Sequence, residues 1–511
     1  MILSSTTDYK SLYEEEKKEK EDLQSEVLKM QLQLLKFSRM IFGSKSEAFK
    51  VNPAQLTLAI QAEQIPAVCD LSSAKRVEGY VKGNPAKTRD LSEFGSYLDS
   101  LPHFYETREP ENLPEGAEKI GEDEHKILEY TPGKLFVRVI VIPKYKLPAK
   151  NGDDTVKIIA VEAPSRPLRK CIAGASTLAQ ILVDKYTDHL PVFRQKARFA
   201  RDGTIIPYNT LLDWTGKTID LLEILYPVLK KAILSTRYIH VDETGLKVLC
   251  SGENKRHRKI HDGYLWCYNN SIEKMVFFDY QHGRGEKHAE VILKDFRGII
   301  QTDGWQVYQG IASKQEDIKQ ICCLAHARRK FDEALSTDKE LAGYALAKFQ
   351  AIYEVERYCK DNNLSYEEIK DMRQAKSAPL LNELHEWMTE QYKTLPSAPI
   401  STAIGYAMRH WERLCYYTKD GMLKPDNNPV ENAIRPTVLG RKNFLFAGSQ
   451  RGAERIAIIY SLLGTCKLNN INPYLWLKDV LSRINDHPIN KISELLPHNW
   501  IKNQPTQVAT L

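Results

Sequence analysis

The sequence predicts an α/β protein of several domains, on the basis of three observations. Short apolar runs rich in β-branched residues alternate with helical patterns between residues 237 and 335, which is typical of a layered α/β fold. Helical spacing dominates on both sides of this stretch. The chain has 511 residues, of which 42% are hydrophobic and 27% charged, so it is long enough for about three domains.

The first 43 residues are predicted to form a coiled-coil helix. Apolar residues recur at alternating spacings of four and three: Leu23, Val27, Met30, Leu34, Phe37 and Ile41. This spacing is the a/d seam of a coiled coil, although an amphipathic helix packed on its own domain has the same pattern. We therefore expect self-association through a leucine-zipper-like helix at 1–43, followed by a linker at 44–95.

Two further segments precede the alternating stretch. A small β-rich module is expected at 96–165, where residues 134–145 form a β-branched run. A helical region is expected at 166–236, with apolar stripes interrupted by lysine and arginine. The basic residues suit a helix-turn-helix-like DNA reader and equally the surface of a plain helical bundle, so both interpretations stay open.

The alternating stretch is predicted to contain five strands and two helices. The strands are expected at 238–241, 263–268, 274–280, 298–302 and 318–324, and the helices at 288–296 and from about residue 325. Residues 336–420 have helical patterns throughout and are interpreted as an insertion within one fold. The whole domain is expected at 237–484, with a C-terminal tail at 485–511.

Three acidic residues lie at the boundaries of apolar stretches in this domain. Asp242 and Asp303 each suit a turn, and Glu431 suits the third position of a helix capped by Asn428. If the fold brings them together, carboxylates on two strand ends and one helix start make an all-oxygen pocket for a hard cation such as Mg²⁺. Glu243 is a weaker candidate because strand alternation directs it to the opposite face.

Five motifs, in order along the chain, are the most specific signals in the sequence. They are His-Val-Asp-Glu-Thr at 240–244, Gln-Thr-Asp-Gly-Trp-Gln-Val-Tyr at 301–308, Cys-Leu-Ala-His-Ala-Arg-Arg-Lys-Phe at 323–331, Asp-Asn-Asn-Pro-Val-Glu-Asn-Ala-Ile-Arg-Pro at 426–436 and Gly-Arg-Lys-Asn-Phe-Leu-Phe-Ala-Gly-Ser at 440–449. With these motifs the chain resembles the DDE transposases of the insertion-sequence sixty-six family over most of residues 173–484.

The resemblance implies a ribonuclease-H-like catalytic core with a helical insertion before its last carboxylate. Asp242, Asp303 and Glu431 would be the catalytic residues and would hold two Mg²⁺ or Mn²⁺ ions. The implied activity is cleavage of the ends of an insertion sequence and their joining to target DNA. Two alternatives stay open: a catalytically inactive DNA-binding regulator, which is expected to lack a carboxylate, and a nuclease without joining activity.

Implied partners are the terminal repeats of the element, the target DNA, a second copy of the chain and accessory proteins of the same element. The implied location is the bacterial cytoplasm, with association to the nucleoid when DNA is bound. No run of about 18 apolar residues occurs, so a membrane is not an expected partner.

Zinc is not expected as a cofactor. The family usually carries a small cysteine zinc module before its helical region, whereas this chain has no cysteine from 70 to 170. His103 and His125 alone cannot replace four ligands. The nine cysteines of the chain include no Cys-x-x-Cys pair and are expected to be reduced thiols.

The prediction of DNA binding depends on the local distribution of charge, because the formal net charge is only +6. Basic residues cluster around the last two acidic positions and are predicted to contact phosphates. For the first four of them, a basic helix start at the surface explains the sequence equally well. The predicted contacts are His326, Arg328, Arg329, Lys330, Arg435, Arg441, Lys442 and Arg451.

Overall fold

The described part of the chain lies between residues 133 and 500. The computed structural model describes residues 133, 135–141, 144–146, 158–160, 165–250, 259–393 and 398–500. The predicted coiled coil at 1–43, the linker at 44–95, most of the module at 96–165 and the end of the tail therefore fall outside the described residues.

Two short strands are described within the module at 96–165. Strand β1 (Lys144–Lys146) pairs antiparallel with β2 (Ile158–Ala160). The prediction of a strand over the preceding β-branched run is wrong for residues 135–141, which are exposed and have no regular secondary structure. β-Branched residues favour a strand through packing against cross-strand neighbours, and a run of them is not sufficient by itself.

Four helices follow where the apolar spacing predicts helices. They are α1 (Ala175–Tyr186), α2 (Val192–Arg201), α3 (Tyr208–Leu222) and α4 (Tyr226–Leu234), with a 3₁₀ turn at Glu223–Leu225 between the last two. Leu182, Leu222 and Leu229 are fully buried in the main core. The apolar stripes of α1, α3 and α4 therefore pack against the rest of the domain, whereas α2 packs in a smaller apolar cluster with α1 and α3.

A five-stranded mixed sheet forms the centre of the fold. Its elements are β3 (Tyr238–Cys250), β4 (Lys259–Asn270), β5 (Met275–Gln281), α5 (Glu286–Leu293), β6 (Gly298–Thr302), α6 (Gln306–Lys314) and β7 (Ile318–Cys322). The strand order is β5-β4-β3-β6-β7. β3, β4 and β5 form antiparallel pairs, whereas β3, β6 and β7 run parallel.

All five predicted strands are present, but β3 is much longer than predicted. It pairs with β4 from His240 opposite Asn269 to Cys250 opposite Lys259. The prediction that Asp242 lies at a strand end is therefore wrong, because the ladder with β4 extends the strand past the polar residues. Helix α6 is not among the predicted elements, since it lies directly after a turn signal and covers only Gln306–Lys314.

The segment at 336–420 is helical, as its patterns predict. Helices in and around it are α7 (Leu324–Ala334), α8 (Lys339–Asp361), α9 (Tyr366–Met372), α10 (Ala378–Tyr392), α11 (Pro399–Arg409) and α12 (Trp411–Cys415). A second apolar core joins all of these helices except α9, and it includes Tyr238 and Ile321 of the sheet. The helical segment is therefore anchored on strands β3 and β7.

The first two C-terminal helices pack on the sheet, and the last two pack on other helices. They are α13 (Asn428–Phe444), α14 (Gln450–Leu468), α15 (Pro473–Arg483) and α16 (Pro497–Trp500). Ser461 and Thr465 of α14 use their hydroxyl groups to hydrogen-bond the β5 backbone at Phe278 and Val276. Among the described helices we find none with the length and apolar character needed to cross a bilayer.

Candidate active site

Strand β3 presents different side chains to the two layers beside the sheet. On one face, His240 contacts Asn427 just before α13, and Thr244 accepts a hydrogen bond from that helix. On the other face, Val241 is fully buried in the main core. Because successive residues of a strand alternate in direction, Asp242 shares the face that is turned toward α13.

The parallel pairing of β3 and β6 brings two of the predicted carboxylates side by side. His240 lies opposite Gln301 in this pair. Asp242 lies two residues after His240, within β3. Asp303 lies two residues after Gln301 and is the first residue after β6. Neighbouring strands lie about 4.8 Å apart where they pair, so the register directs both residues to the same edge of the sheet, where the charge of Asp303 acts on Asp242.

Asp303 lies in a tight turn, as the Asp-Gly dipeptide predicts. Its Oδ1 accepts a 2.9 Å hydrogen bond from the Trp305 amide, and Gly304 has a φ of +94°. A Cβ atom at Gly304 would lie 3.0 Å from the Tyr406 hydroxyl, which donates a 2.5 Å hydrogen bond to the Asp303 carbonyl. Helix α11, which carries Tyr406, thus fixes the turn from the insertion side.

The acid–base behaviour of Asp242 is strongly perturbed. Burial is the main cause that raises its pKa to about 7, and the charges of Glu243, Asp303 and Glu431 contribute to the same shift. The Glu243 amide donates a 2.8 Å hydrogen bond to Asp242 Oδ1, which opposes this shift. Like charges held together in a partly buried place disfavour ionisation, and a bound cation would relieve the repulsion.

The predicted capping role of Glu431 is wrong. The N-cap of α13 is Asn427 rather than Asn428, and it makes no side-chain capping hydrogen bond. The Asn427 side chain is used elsewhere: its Nδ2 donates to the Val241 carbonyl at 3.1 Å and its Oδ1 lies 3.1 Å from His240 Nδ1. The Asn427 side chain therefore bonds to β3 instead of capping α13, and the Glu431 carboxylate is not used for capping.

Helix α7 delivers further groups to Glu431. His326 Nδ1 lies 3.8 Å from Glu431 Oε1, and Arg329 Nη2 lies 3.9 Å from Oε2. The ligand atoms of Cys323, His326 and Glu431 all lie within 4.8 Å of one another. Cys323 is not among the residues predicted from the sequence, although its Cys-x-x-His spacing at a helix start is a signal that could have identified it.

Burial sets the protonation of the two other groups in this cluster. It raises the pKa of the Cys323 thiol to about 12 and lowers the pKa of His326. The thiol is therefore protonated at neutral pH. The sulfur of Cys323 accepts a 3.1 Å hydrogen bond from the Asn427 amide, so the cluster also contacts the start of α13.

Glu243 occupies the opposite face of β3, where strand alternation predicts it. Its carboxylate is buried, pairs with Arg284 at 2.6 Å and accepts a 2.5 Å hydrogen bond from the Tyr308 hydroxyl. The Arg284 guanidinium lies over the Trp305 ring, 4.1 Å from its centroid. Arg284 and Tyr308 both donate to the Glu243 carboxylate. Because Arg284 also packs on Trp305, which follows the Asp303 turn, these contacts support that turn.

The predicted DNA contacts fall on two helices near the carboxylates, with one exception. Arg328 and Arg329 are exposed on α7, as are Arg435 and Lys442 on α13. Lys330 lies 5.0 Å from the centroid of the Tyr406 ring. Arg441 is half-buried and donates a 2.9 Å hydrogen bond to Thr244 Oγ1.

Arg451 is the exception, and the prediction of a DNA contact there is not supported by its geometry. Its guanidinium pairs with Asp220 at 2.8 Å, Glu223 at 2.5 Å and Glu454 at 3.2 Å. Arg455 pairs with the same Asp220 carboxylate at 2.5 Å. The pairs with Asp220 and Glu223 join α14 to the end of α3 and the 3₁₀ turn after it, so the charges of Arg451 and Arg455 are balanced by acidic residues that are distant in sequence.

Comparison with known proteins identifies the relatives of the chain. The family model described as Transposase IS66 family matches residues 170–455. The IS66 C-terminal element matches 461–498, and a model described as Transposase C of IS166 homeodomain matches 29–103.

Two similar proteins come from Sinorhizobium fredii (strain NBRC 101917 / NGR234). Uncharacterized protein y4hP is 30% identical over 504 residues, which are 93% of this chain and 89% of the relative. Uncharacterized protein y4jD is 29% identical over 513 residues, which are 96% of this chain and 98% of the relative. Uncharacterized protein YuaK of Escherichia coli (strain K12) is 43% identical over 49 residues, 10% of this chain and 52% of the relative.

Proposed function

The chain belongs to the IS66 family of transposases, and from this premise we propose that it is a DDE transposase. It cleaves the ends of its insertion sequence and joins them to target DNA by metal-dependent hydrolysis and strand transfer. Residues 237–484 form its ribonuclease-H-like catalytic domain, with the helices at 336–420 as an insertion. The observation that carries the proposal is the convergence of Asp242, Asp303 and Glu431 from three elements of this domain.

The donor set fits a hard divalent cation. It consists of three carboxylates, which are the ligands that Mg²⁺ and Mn²⁺ prefer. Glu431 Oε1 is buried and has no hydrogen-bond partner among the described residues. Two such ions held by Asp242, Asp303 and Glu431 would supply Lewis acidity to the attacking and leaving oxygens of an in-line displacement at phosphorus.

The contacts around the carboxylates position them for this work. Asp242 would help to hold both ions, since the charges of both Asp303 and Glu431 act on its carboxylate. Asn427 ties α13 to β3 and so holds Glu431 beside the sheet. The Tyr406 hydroxyl donates a hydrogen bond to the Asp303 carbonyl and so stabilises the turn. The protein thus contributes fixed geometry, and no covalent intermediate with the chain is needed.

Basic residues on α7 and α13 hold the DNA backbone beside the carboxylates. Phosphate contacts set the register of a protein on DNA, and the basic side chains on these helices, four of them exposed and three half-buried, suit that role. The residues proposed for it are His326, Arg328, Arg329, Lys330, Arg435, Arg441 and Lys442. Oligomerisation through 1–43 and assistance from other proteins of the element are part of the same proposal.

The test is processing of labelled DNA that carries the element's own ends, in Mg²⁺ or Mn²⁺, with nicked and joined products scored separately. Wild-type protein is expected to give joined products that disappear in Glu431→Gln. Glu333→Gln, which alters an exposed glutamate on α7, is the matched control and should keep them. Nicks without joined products would favour the nuclease alternative, and end binding without chemistry in the wild type would favour the regulator.

A further inference from the structure

The junction of α7 and α13 brings together three ligand types that differ from the oxygen-only set. Cys323 is the N-cap of α7, His326 lies in the first turn of that helix, and Glu431 lies in the first turn of α13. Their ligand atoms are mutually within 4.8 Å. A sulfur, an imidazole nitrogen and a carboxylate oxygen therefore surround one point.

Two of these atoms make no hydrogen bond within the described part of the chain. His326 Nδ1 and Glu431 Oε1 are both buried and lack a hydrogen-bond partner, although they lie only 3.8 Å apart. Buried polar atoms are nearly always paired, because an unpaired one costs about 1–3 kcal/mol. Two such atoms facing each other across a gap point to a ligand between them.

We propose that Cys323, His326 and Glu431 form a binding site for a borderline divalent cation such as Zn²⁺ or Co²⁺. Thiolate and imidazole ligands select these ions over Mg²⁺. Zn–S and Zn–N distances of about 2.3 and 2.0 Å place tetrahedral ligands about 3.5 Å apart, so small side-chain shifts complete the site. The fourth position is left for water.

The surroundings allow the ion to enter and to be charge-compensated. The side chains of His326 and Glu431 are 23% and 29% exposed, so the site opens to solvent on that side. Arg329 is 55% exposed and is 3.9 Å from Glu431 Oε2, so it can turn into solvent when the ion binds. The Cys323 thiol proton leaves to solvent as the metal–sulfur bond forms.

This site is distinct from the cysteine zinc module before the helical region, which is not expected in this chain, because it lies within residues 237–484. It shares Glu431 with the proposed Mg²⁺ site, and this consequence rests on the proposed function. An ion held by Cys323 and His326 would draw Glu431 away from Asp242 and Asp303. We therefore infer that Zn²⁺ opposes Mg²⁺-supported DNA cleavage through Glu431.

The test uses chelator-treated full-length protein titrated with Co²⁺, whose thiolate complexes have a charge-transfer band in the near ultraviolet. Wild-type protein is expected to develop the band and to lose it when Zn²⁺ is added. Cys323→Ser should abolish the band, whereas Cys322→Ser, the adjacent buried cysteine, should retain it. Absence of the band in the wild type, or its survival in Cys323→Ser, would overturn the site.

A second pair of variants covers the case in which Cys323→Ser fails to fold. His326→Gln and Glu431→Gln alter partly exposed side chains and are each expected to weaken Co²⁺ binding by at least about tenfold, since even the partners of metal ligands cause such losses when removed. Unchanged affinity in both variants would refute the site. The Co²⁺ spectrum needs no DNA, so this result and the test of transposition can fail independently.

The competition with Mg²⁺ is tested separately with wild-type protein on the element's ends. Zn²⁺ at concentrations that displace Co²⁺ is expected to reduce cleavage, and a chelator selective for Zn²⁺ is expected to restore it. Cleavage that is unaffected at those concentrations would overturn the competition.

Discussion

Asn427 Oδ1 lies 3.1 Å from His240 Nδ1, and both side chains are fully buried. Asn427 Nδ2 donates to the Val241 carbonyl, so its Oδ1 is the acceptor and His240 donates from Nδ1. Burial lowers the pKa of His240 to about 3, which keeps the imidazole neutral. This contact joins the strand that carries Asp242 to the helix that carries Glu431.

We predict that Asn427→Leu destabilises the fold, because it leaves buried polar groups on β3 without partners. The expected loss is about 1–3 kcal/mol for each such group, measured as a shift of the urea denaturation midpoint. Asn432→Ala, an exposed change on the same helix, should stay within about 0.5 kcal/mol of the wild type. Equal midpoints for Asn427→Leu and the wild type would show that the contact contributes nothing.

A second prediction concerns pH and Asp242. The pKa of this group is about 7 in the folded state, well above its usual value of 3.8. Between these two pKa values the folded state binds more protons than the unfolded state. The contribution of Asp242 to the free energy of unfolding therefore falls as pH rises from about 4 to 7. In EDTA, Asp242→Asn should gain stability over the wild type as pH rises, by at most about 4 kcal/mol.

The measurement is denaturation of both proteins at pH 5 and pH 8. Asp317→Asn, an exposed carboxylate whose side chain is 69% accessible, is the control and should follow the wild type. Mg²⁺ should restore stability to the wild type at pH 8 by binding the folded state and should have less effect on Asp242→Asn. Parallel pH profiles for wild type and Asp242→Asn would contradict the interpretation of this carboxylate.

The third prediction separates the chemistry of Asp303 from its turn. An asparagine at this position can still accept the hydrogen bond from the Trp305 amide, so Asp303→Asn should fold and bind DNA. Loss of a metal ligand removes several kcal/mol of transition-state stabilisation, so end cleavage should fall by about 10³-fold or more. Substantial cleavage by Asp303→Asn, beside an Asp317→Asn control, would refute the assignment.

A fourth prediction distinguishes two arginines that the sequence treats alike. Each phosphate contact contributes about 0.9 to the slope of log K against log salt concentration, so Arg435→Gln should lower that slope by about this amount. Arg451→Gln should leave the slope unchanged and should reduce stability by about 1 kcal/mol or less, because its ion pairs are partly exposed. A lower slope for Arg451→Gln would restore it as a DNA contact.

The strands and helices of the domain at 237–484 could largely be predicted because their signals are local. β6 spans Gly298–Thr302, the residues over which the apolar run predicts a strand. The segment at 336–420 is helical, as its apolar spacing predicts. The length of β3 could not be predicted, because its polar half becomes a strand only through pairing with β4. The run at 135–141 is the converse case, in which β-branched residues alone do not make a strand.

For the candidate site, the sequence by itself determined the family and three acidic positions, since those depend on ordered motifs and local patterns. The tertiary structure decided how their neighbours are used. Asn427 bonds to His240, so Glu431 is not used for capping. Arg451 pairs with Asp220, and Cys323 and His326 lie beside Glu431. These relationships join residues up to 231 positions apart. Only the folded chain fixes such pairings, because local propensity carries no information about which distant side chain will satisfy a buried group.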